Sequence, residues 1–213
     1  MEIGAIIYTL TELIAIAAFA LSGAMTAIKR GLDLFGVVFI GSVTAIGGGV
    51  IRDLLLGSFP PLMFRDYRYL IVSVITSLIA FTAAYFFKEK YTSSEHTVDG
   101  INNIVDAVGL GLFTVLGVQT AIGCGYGDNG FFCIFLGVIT GIGGGILRDV
   151  MTKSTPQVFV RHVYAVASIA GACIYYFLTF YGMGETVSML VSSVIVFVTR
   201  MLATHYKWNF PKA

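Results

Sequence analysis

Two arginine–aspartate pairs carry the chemistry of this sequence. Arg52-Asp53 closes the stretch AIGGGVIRD (45–53), and Arg148-Asp149 closes GIGGGILRD (141–149), 96 positions later. A guanidinium offers five donors and keeps its charge when buried. A glycine triplet weakens a helix and strips cover from the backbone, since each interior glycine costs about 1 kcal/mol relative to alanine. Gly47, Gly48 and Gly49, with Gly143, Gly144 and Gly145, are therefore expected to break two helices and free carbonyls that can coordinate a desolvated cation. Neighbouring residues on a helix point in different directions, so Arg52 and Asp53, like Arg148 and Asp149, are not expected to be each other's main partners. Each arginine is expected to turn inward, bond the loosened carbonyls and pair with an acid from the other copy of the motif. Two roles fit it: a brace behind the pore, or a gating charge.

Two further acids belong to the set. Glu12 and Asp106 lie about six residues inside their apolar runs, where a carboxylate is a functional candidate by default. Other chemistry is poorly supplied. His96, His162 and His205 fall in loops or at segment ends without metal-ligand spacing. Cys124, Cys133 and Cys173 form no CxxC pair. There is no GxSxG, no HExxH and no histidine deep in a segment, so an enzyme is not expected. No metal or cofactor site is visible.

The elements that must hold these residues are membrane helices. Of 213 residues, 57% are hydrophobic and 12% charged, with a mean hydropathy of +0.87. That is about half the charge of a soluble domain. The net charge of +1 gives no case for nucleic acid. Seven segments of about 20 residues match a bilayer core: Ile6–Ile28, Leu34–Leu56, Tyr69–Phe87, Ile101–Ile122, Phe131–Met151, Val163–Tyr181 and Glu185–His205. Lys29, Arg30, Lys88, Lys90, Arg148, Lys153, Arg161, Arg200, Lys207 and Lys212 fall on one side, and Arg52, Arg65 and Arg68 on the other. The positive-inside rule then places the N-terminus outside and the C-terminus in the cytoplasm.

The motif is part of a longer repeat. Gly41 falls on Gly137, Pro60 on Pro156 and Arg65 on Arg161, all 96 apart; upstream the offset is 94, pairing Glu12 with Asp106, Phe19 with Phe113 and Gly23 with Gly117. The expected units are 5–91, 100–182 and an extra seventh helix, 184–206, within one membrane domain. Three helices per unit reverse the second unit in the bilayer, an inverted repeat whose site is expected near mid-depth. The fold class is all-α integral membrane, seven helices as two inverted three-helix repeats plus one.

The doubled GGGxxRD, with Ser22-Gly23-Ala24 in the first span and Asp106 to Gly111 in the fourth, resembles the prokaryotic trimeric intracellular cation (TRIC) channels over about residues 5 to 205. The resemblance implies a homotrimer in the cell's inner membrane, with a pore in each subunit. It implies kinks at the triplets of spans two and five, and passage of potassium and sodium. Animal relatives carry a Lys-Glu-Val lipid-binding signature where this chain has Val50-Ile51-Arg52, so phosphoinositide regulation is not carried over. The same domain has been labelled a glycine transporter. That leaves a carrier of glycine or a small neutral solute as the alternative, with Arg52 or Arg148 holding a carboxylate and Glu12 or Asp106 an ammonium. On the channel reading, leucine at Gly48 or Gly144 should stop transport while the trimer survives.

Overall fold

The computed structural model describes residues 2–87, 95–160 and 163–208. Lys88, Lys90, Arg161, His162 and Lys212 lie outside the described residues. The described elements are helices: α1 (Glu2–Lys29), α2 (Leu34–Leu55), α3 (Leu62–Arg65), α4 (Arg68–Phe86), α5 (Glu95–Ala121), a π turn (Ile122–Tyr126), α6 (Gly130–Met151), α7 (Gln157–Val160), α8 (Tyr164–Phe180) and α9 (Glu185–His205). Six of the long helices are long and apolar enough to cross a bilayer, and the shorter apolar α8 has 17 residues. At 1.5 Å per residue α8 spans about 26 Å, slightly under a typical hydrocarbon core. Seven helices of this kind make a multi-pass membrane protein.

Local sequence sets the ends. Asp33 caps α2 by accepting the Gly36 N–H at 2.8 Å, and Asn129 caps α6 by accepting the Phe132 N–H at 3.1 Å. These two caps are 96 apart, like the triplets. Two one-turn helices, α3 and α7, were not expected; four residues are too few to show a period. They follow Pro61 and Pro156, which place Pro61, rather than Pro60, opposite Pro156 in the repeat. The first copy has one more residue between its serine (Ser58 against Ser154) and the short helix.

The packing repeats as well. α1 packs on α2 and α4, and α5 packs on α6 and α8; α2 crosses α6 and α1 lies along α5. At the centre Phe19 and Phe113 meet with ring centroids 5.2 Å apart. α9 packs on α5 and α8, so it covers the second unit. Lipid tails are as apolar as leucine, so close packing rather than hydrophobic burial holds such helices together, and small residues allow it. Gly23 faces Thr44 and Gly41 across α1 and α2, and Gly117 faces Thr140 and Gly137 across α5 and α6.

Both α2 and α6 run unbroken through their triplets, which corrects the expectation of broken helices. The physical reason is reciprocal contact. A Cβ on Gly48 would overlap the Thr140 carbonyl oxygen, and one on Gly144 would overlap the Thr44 carbonyl oxygen. Backbone thus lies directly on backbone at the crossing, an approach that suits Cα–H···O contacts. Gly47 faces the Leu147 side chain and Gly143 faces Ile51.

Candidate functional site: two buried charge clusters

Each triplet leads, three residues on, to its arginine. The third glycine makes the room: the nearest atom to a Cβ on Gly49 would be Arg52 Nη2 at 3.9 Å, and a Cβ on Gly145 would sit 3.3 Å from the Tyr164 hydroxyl and 3.8 Å from Arg148 Nη2. One glycine per motif therefore serves the charge and two serve the crossing. The arginines turn inward as expected, with Arg52 4% and Arg148 0% exposed.

Their partners differ from expectation. Arg52 donates from Nε to Asp53 Oδ1 at 2.8 Å, and Arg148 donates from Nε to Asp149 Oδ1 at 2.8 Å. Adjacent residues do pair, because a guanidinium on a three-carbon stem can fold sideways across the 100° between neighbours. Among the described residues neither guanidinium donates to a loosened carbonyl. The second aspartate oxygen has its own task. Asp53 Oδ2 accepts the Leu62 N–H at 2.8 Å, and Asp149 Oδ2 accepts the Gln157 N–H at 2.8 Å. Each aspartate so ties its arginine to the first residue of the short helix beyond.

The second cluster is closed by direct ion pairing. Arg148 Nη1 donates to Asp106 Oδ1 at 2.7 Å and to Ser22 Oγ at 2.7 Å, and Ser22 donates to the same carboxylate oxygen at 3.1 Å. The acid comes from α5, in the arginine's own unit; α1 of the other unit contributes Ser22. This corrects the expected pairing across units. Arg200 of α9, 0% exposed, lies over the Tyr164 ring at 4.6 Å and donates to Asn103 Oδ1 at 3.0 Å. Asp106 feels Arg148 and Arg200 electrostatically. The Tyr164 hydroxyl lies beside Asp106, but it, Asp106 Oδ2 and Arg148 Nη2 close no hydrogen bond of good geometry among the described residues.

The first cluster is looser. Glu12, 5% exposed, accepts the Tyr69 hydroxyl at 2.5 Å. Its charged neighbours through space are Arg52 and Asp53, and no ion pair joins Glu12 to Arg52 among the described residues. A cavity of about 40 Å³ opens between Glu12, Arg52, Asp53, Tyr69 and Gly49. One water needs about 10–15 Å³ by this measure, so it admits a water or an ion with one or two waters. A larger vestibule, about 440 Å³, lies at the other end of the molecule between Lys29, Arg30, Asp99, Asn102, Asp149 and Ser154. Lys29 and Asp99 pair across it at 2.8 Å.

All twelve candidate residues thus meet in two clusters and one crossing. Sequence reasoning missed Ser22 as a ligand, and Tyr69, Tyr164 and Arg200 altogether. Tyr69 and Tyr164 had a signal: both open the third helix of their unit, 95 apart, the offset left by the extra residue before α3. Among the described residues no group of three or more His, Cys, Asp or Glu is placed to hold a metal ion.

Comparison with known proteins places the chain. A family model described as "Glycine transporter" matches it twice, at residues 9–85 and 103–179. A UPF0126 membrane protein of Deinococcus radiodurans is 42% identical over 173 residues, 78% of this chain and 76% of its own. The UPF0126 inner membrane protein YadS of Escherichia coli is 33% identical over 202 residues, 94% of this chain and 93% of its own. Among solved structures, a prokaryotic TRIC channel in 0.5 M KCl superposes with a TM-score of 0.85 at 35% identity, over 96% of this chain and 99% of that one. The TRIC orthologue from Rhodobacter sphaeroides gives a TM-score of 0.84 at 28% identity, over 95% and 99%. With the family model covering more than half its length, the chain belongs to the prokaryotic TRIC-like family of seven-helix membrane proteins.

Proposed function

We propose that the protein is a monovalent-cation channel of the cell's inner membrane, a homotrimer with one pore in each subunit. Its N-terminus lies outside and its C-terminus in the cytoplasm. The carrying observation is the likeness, over nearly the whole chain, to proteins described as cation channels. The buried charges agree with it. The ion path runs from the vestibule at Lys29, Asp99 and Asp149, beside the crossing of α2 and α6, to the cavity at Glu12 and Asp53. The two repeats, 5–91 and 100–182, form the walls, and 184–206 braces the second. In this reading the triplets set the width of the path by fixing the helix separation, rather than by offering carbonyls, and the arginines brace.

The glycine-carrier reading needs a guanidinium for the substrate carboxylate. Arg52 is held by Asp53, and Arg148 by Asp106 and Asp149. A substrate would have to displace a buried partner, and breaking such pairs costs about 3–5 kcal/mol. Purified protein in planar bilayers with unequal potassium chloride tests the proposal. Unitary currents reversing toward the potassium potential support it. Silence, with saturable uptake of labelled glycine into liposomes, would favour the carrier.

A further inference from the structure

The two clusters use the same parts but differ in charge. In the second, Asp106 and Asp149 face Arg148 and Arg200, two negative against two positive. In the first, Glu12 and Asp53 face Arg52, two against one among the described residues. The seventh helix causes the difference, since it packs on the second unit and supplies Arg200 there. The first cluster also has the cavity, whose polar lining is Glu12, Arg52, Asp53 and Tyr69, with Gly49 and apolar side chains such as Ile46, Leu62 and Phe113 forming the rest. A buried carboxylate without a countercharge is costly, and a water-sized space beside it offers the means of compensation.

We propose that this cavity is a binding station for one monovalent inorganic cation, with Glu12 as its principal ligand, and that Arg200 is the tethered equivalent of that cation in the second cluster. The Tyr69 hydroxyl, donating to Glu12 Oε2, orients the carboxylate and can turn its own oxygen toward an ion. Asp53 contributes field rather than contact, because Oδ1 accepts from Arg52 and Oδ2 from Leu62. Gly49 lines the cavity, and a Cβ there would meet nothing nearer than Arg52 Nη2 at 3.9 Å. The charge balance makes the second cluster a permanent closed site and the first an exchangeable one. This rests on the cation-channel reading, which it extends to a particular residue.

The test is thermal unfolding of the purified full-length protein as potassium chloride replaces choline chloride at constant ionic strength. An ion that binds only the folded state raises Tm in a saturable way. We expect a single saturable rise in wild type, and a half-saturating concentration about tenfold higher or more in Glu12→Gln, which is the loss of about 1.4 kcal/mol of ion affinity. Tyr69→Phe keeps the carboxylate and should shift the same midpoint, which covers the case of Glu12→Gln failing to fold. Arg200→Gln should add a second potassium-dependent rise, and Arg200→Lys should restore the single one. Equal Tm in potassium and choline overturns the proposal and leaves Glu12 neutralised by a proton. An unchanged single rise in Arg200→Gln overturns the part assigned to α9. Bilayer recordings on the same samples separate the two claims: currents without an ion-dependent Tm sink the station alone, whereas an ion-dependent Tm without currents sinks the channel reading alone.

Discussion

The half of the molecule built on Glu12, Arg52 and Tyr69 and the half built on Asp106, Arg148 and Tyr164 are chemical copies in different states of closure. Both hold an arginine against the next aspartate, both hang a one-turn helix on that aspartate, and both set a tyrosine opposite the acid. In the second half the acid grips the arginine directly and α9 covers the cluster. In the first the acid turns to its tyrosine and leaves a cavity. Equal parts therefore do not fix equal function. What decides is the neighbour outside the repeat.

Four pairs of substitutions sharpen or break that comparison. The largest effect should be shared by both halves. Gly48→Leu and Gly144→Leu each drive a side chain into a carbonyl of the opposite helix. Overpacking that side chains can absorb costs about 1–3 kcal/mol, occasionally more. Here the obstacle is the backbone of the opposite helix, which cannot rotate away, so the cost should exceed that of breaking a buried ion pair, about 3–5 kcal/mol. Both variants should therefore lose the folded, monodisperse peak in size-exclusion chromatography. This revises the expectation that assembly survives such a change, and a well-folded, silent Gly48→Leu channel would restore it.

The next effect should divide the halves. Arg148→Met breaks two buried ion pairs, to Asp106 and Asp149, and leaves them only Arg200 through space, whereas Arg52→Met breaks one, to Asp53, beside a cavity that admits water. Removing one partner of a buried pair costs about 3–5 kcal/mol. The drop in Tm should be clearly larger for Arg148→Met, and equal drops would deny the difference in closure.

A smaller contrast concerns the tyrosines. Tyr69→Phe removes a hydrogen bond to a carboxylate, worth about 1.5–3 kcal/mol. Tyr164→Phe removes a hydroxyl that lies beside Asp106 without closing a well-formed hydrogen bond, and should lower Tm less. Smallest of all is Gly49→Ala. It meets nothing nearer than 3.9 Å, so stability should hold or rise slightly while unitary conductance falls. In Gly145→Ala the Tyr164 hydroxyl at 3.3 Å must give way, and stability should fall instead.

Much of this was legible in the sequence. Hydropathy marked the seven helices to within a few residues, apart from an α5 that begins at Glu95, before the apolar run at Ile101. The offset of 94 paired Phe19 with Phe113, which meet in space, and Glu12 with Asp106, which hold matching places. The triplets were read as breaks because propensity weighs each glycine alone. Only the three-dimensional crossing shows that two of them face another backbone and the third faces an arginine. Pairing within Arg-Asp was hidden because helical direction describes Cβ vectors, not the reach of a long side chain. Arg200 was hidden for a simpler reason. It lies outside the repeat, so no counterpart drew attention to it.

The crossing has a mechanical consequence. Where Gly48 rests on the Thr140 carbonyl and Gly144 on the Thr44 carbonyl, backbone meets backbone, and beside that contact Leu147 lies against Gly47 and Ile51 against Gly143. Their separation is fixed by the backbone contact, and the two symmetric side-chain contacts, Leu147 on Gly47 and Ile51 on Gly143, resist a change of angle. Arg52 lies four residues past Gly48, and Arg148 four past Gly144, so the two guanidinium groups sit at matching radii from one pivot. A turn of α2 against α6 displaces both by the same amount at the same moment. The crossing is therefore a sprung hinge rather than a free one: tilting α2 against α6 presses Leu147 on Gly47 or Ile51 on Gly143, so relative motion of the two charge clusters meets a restoring force.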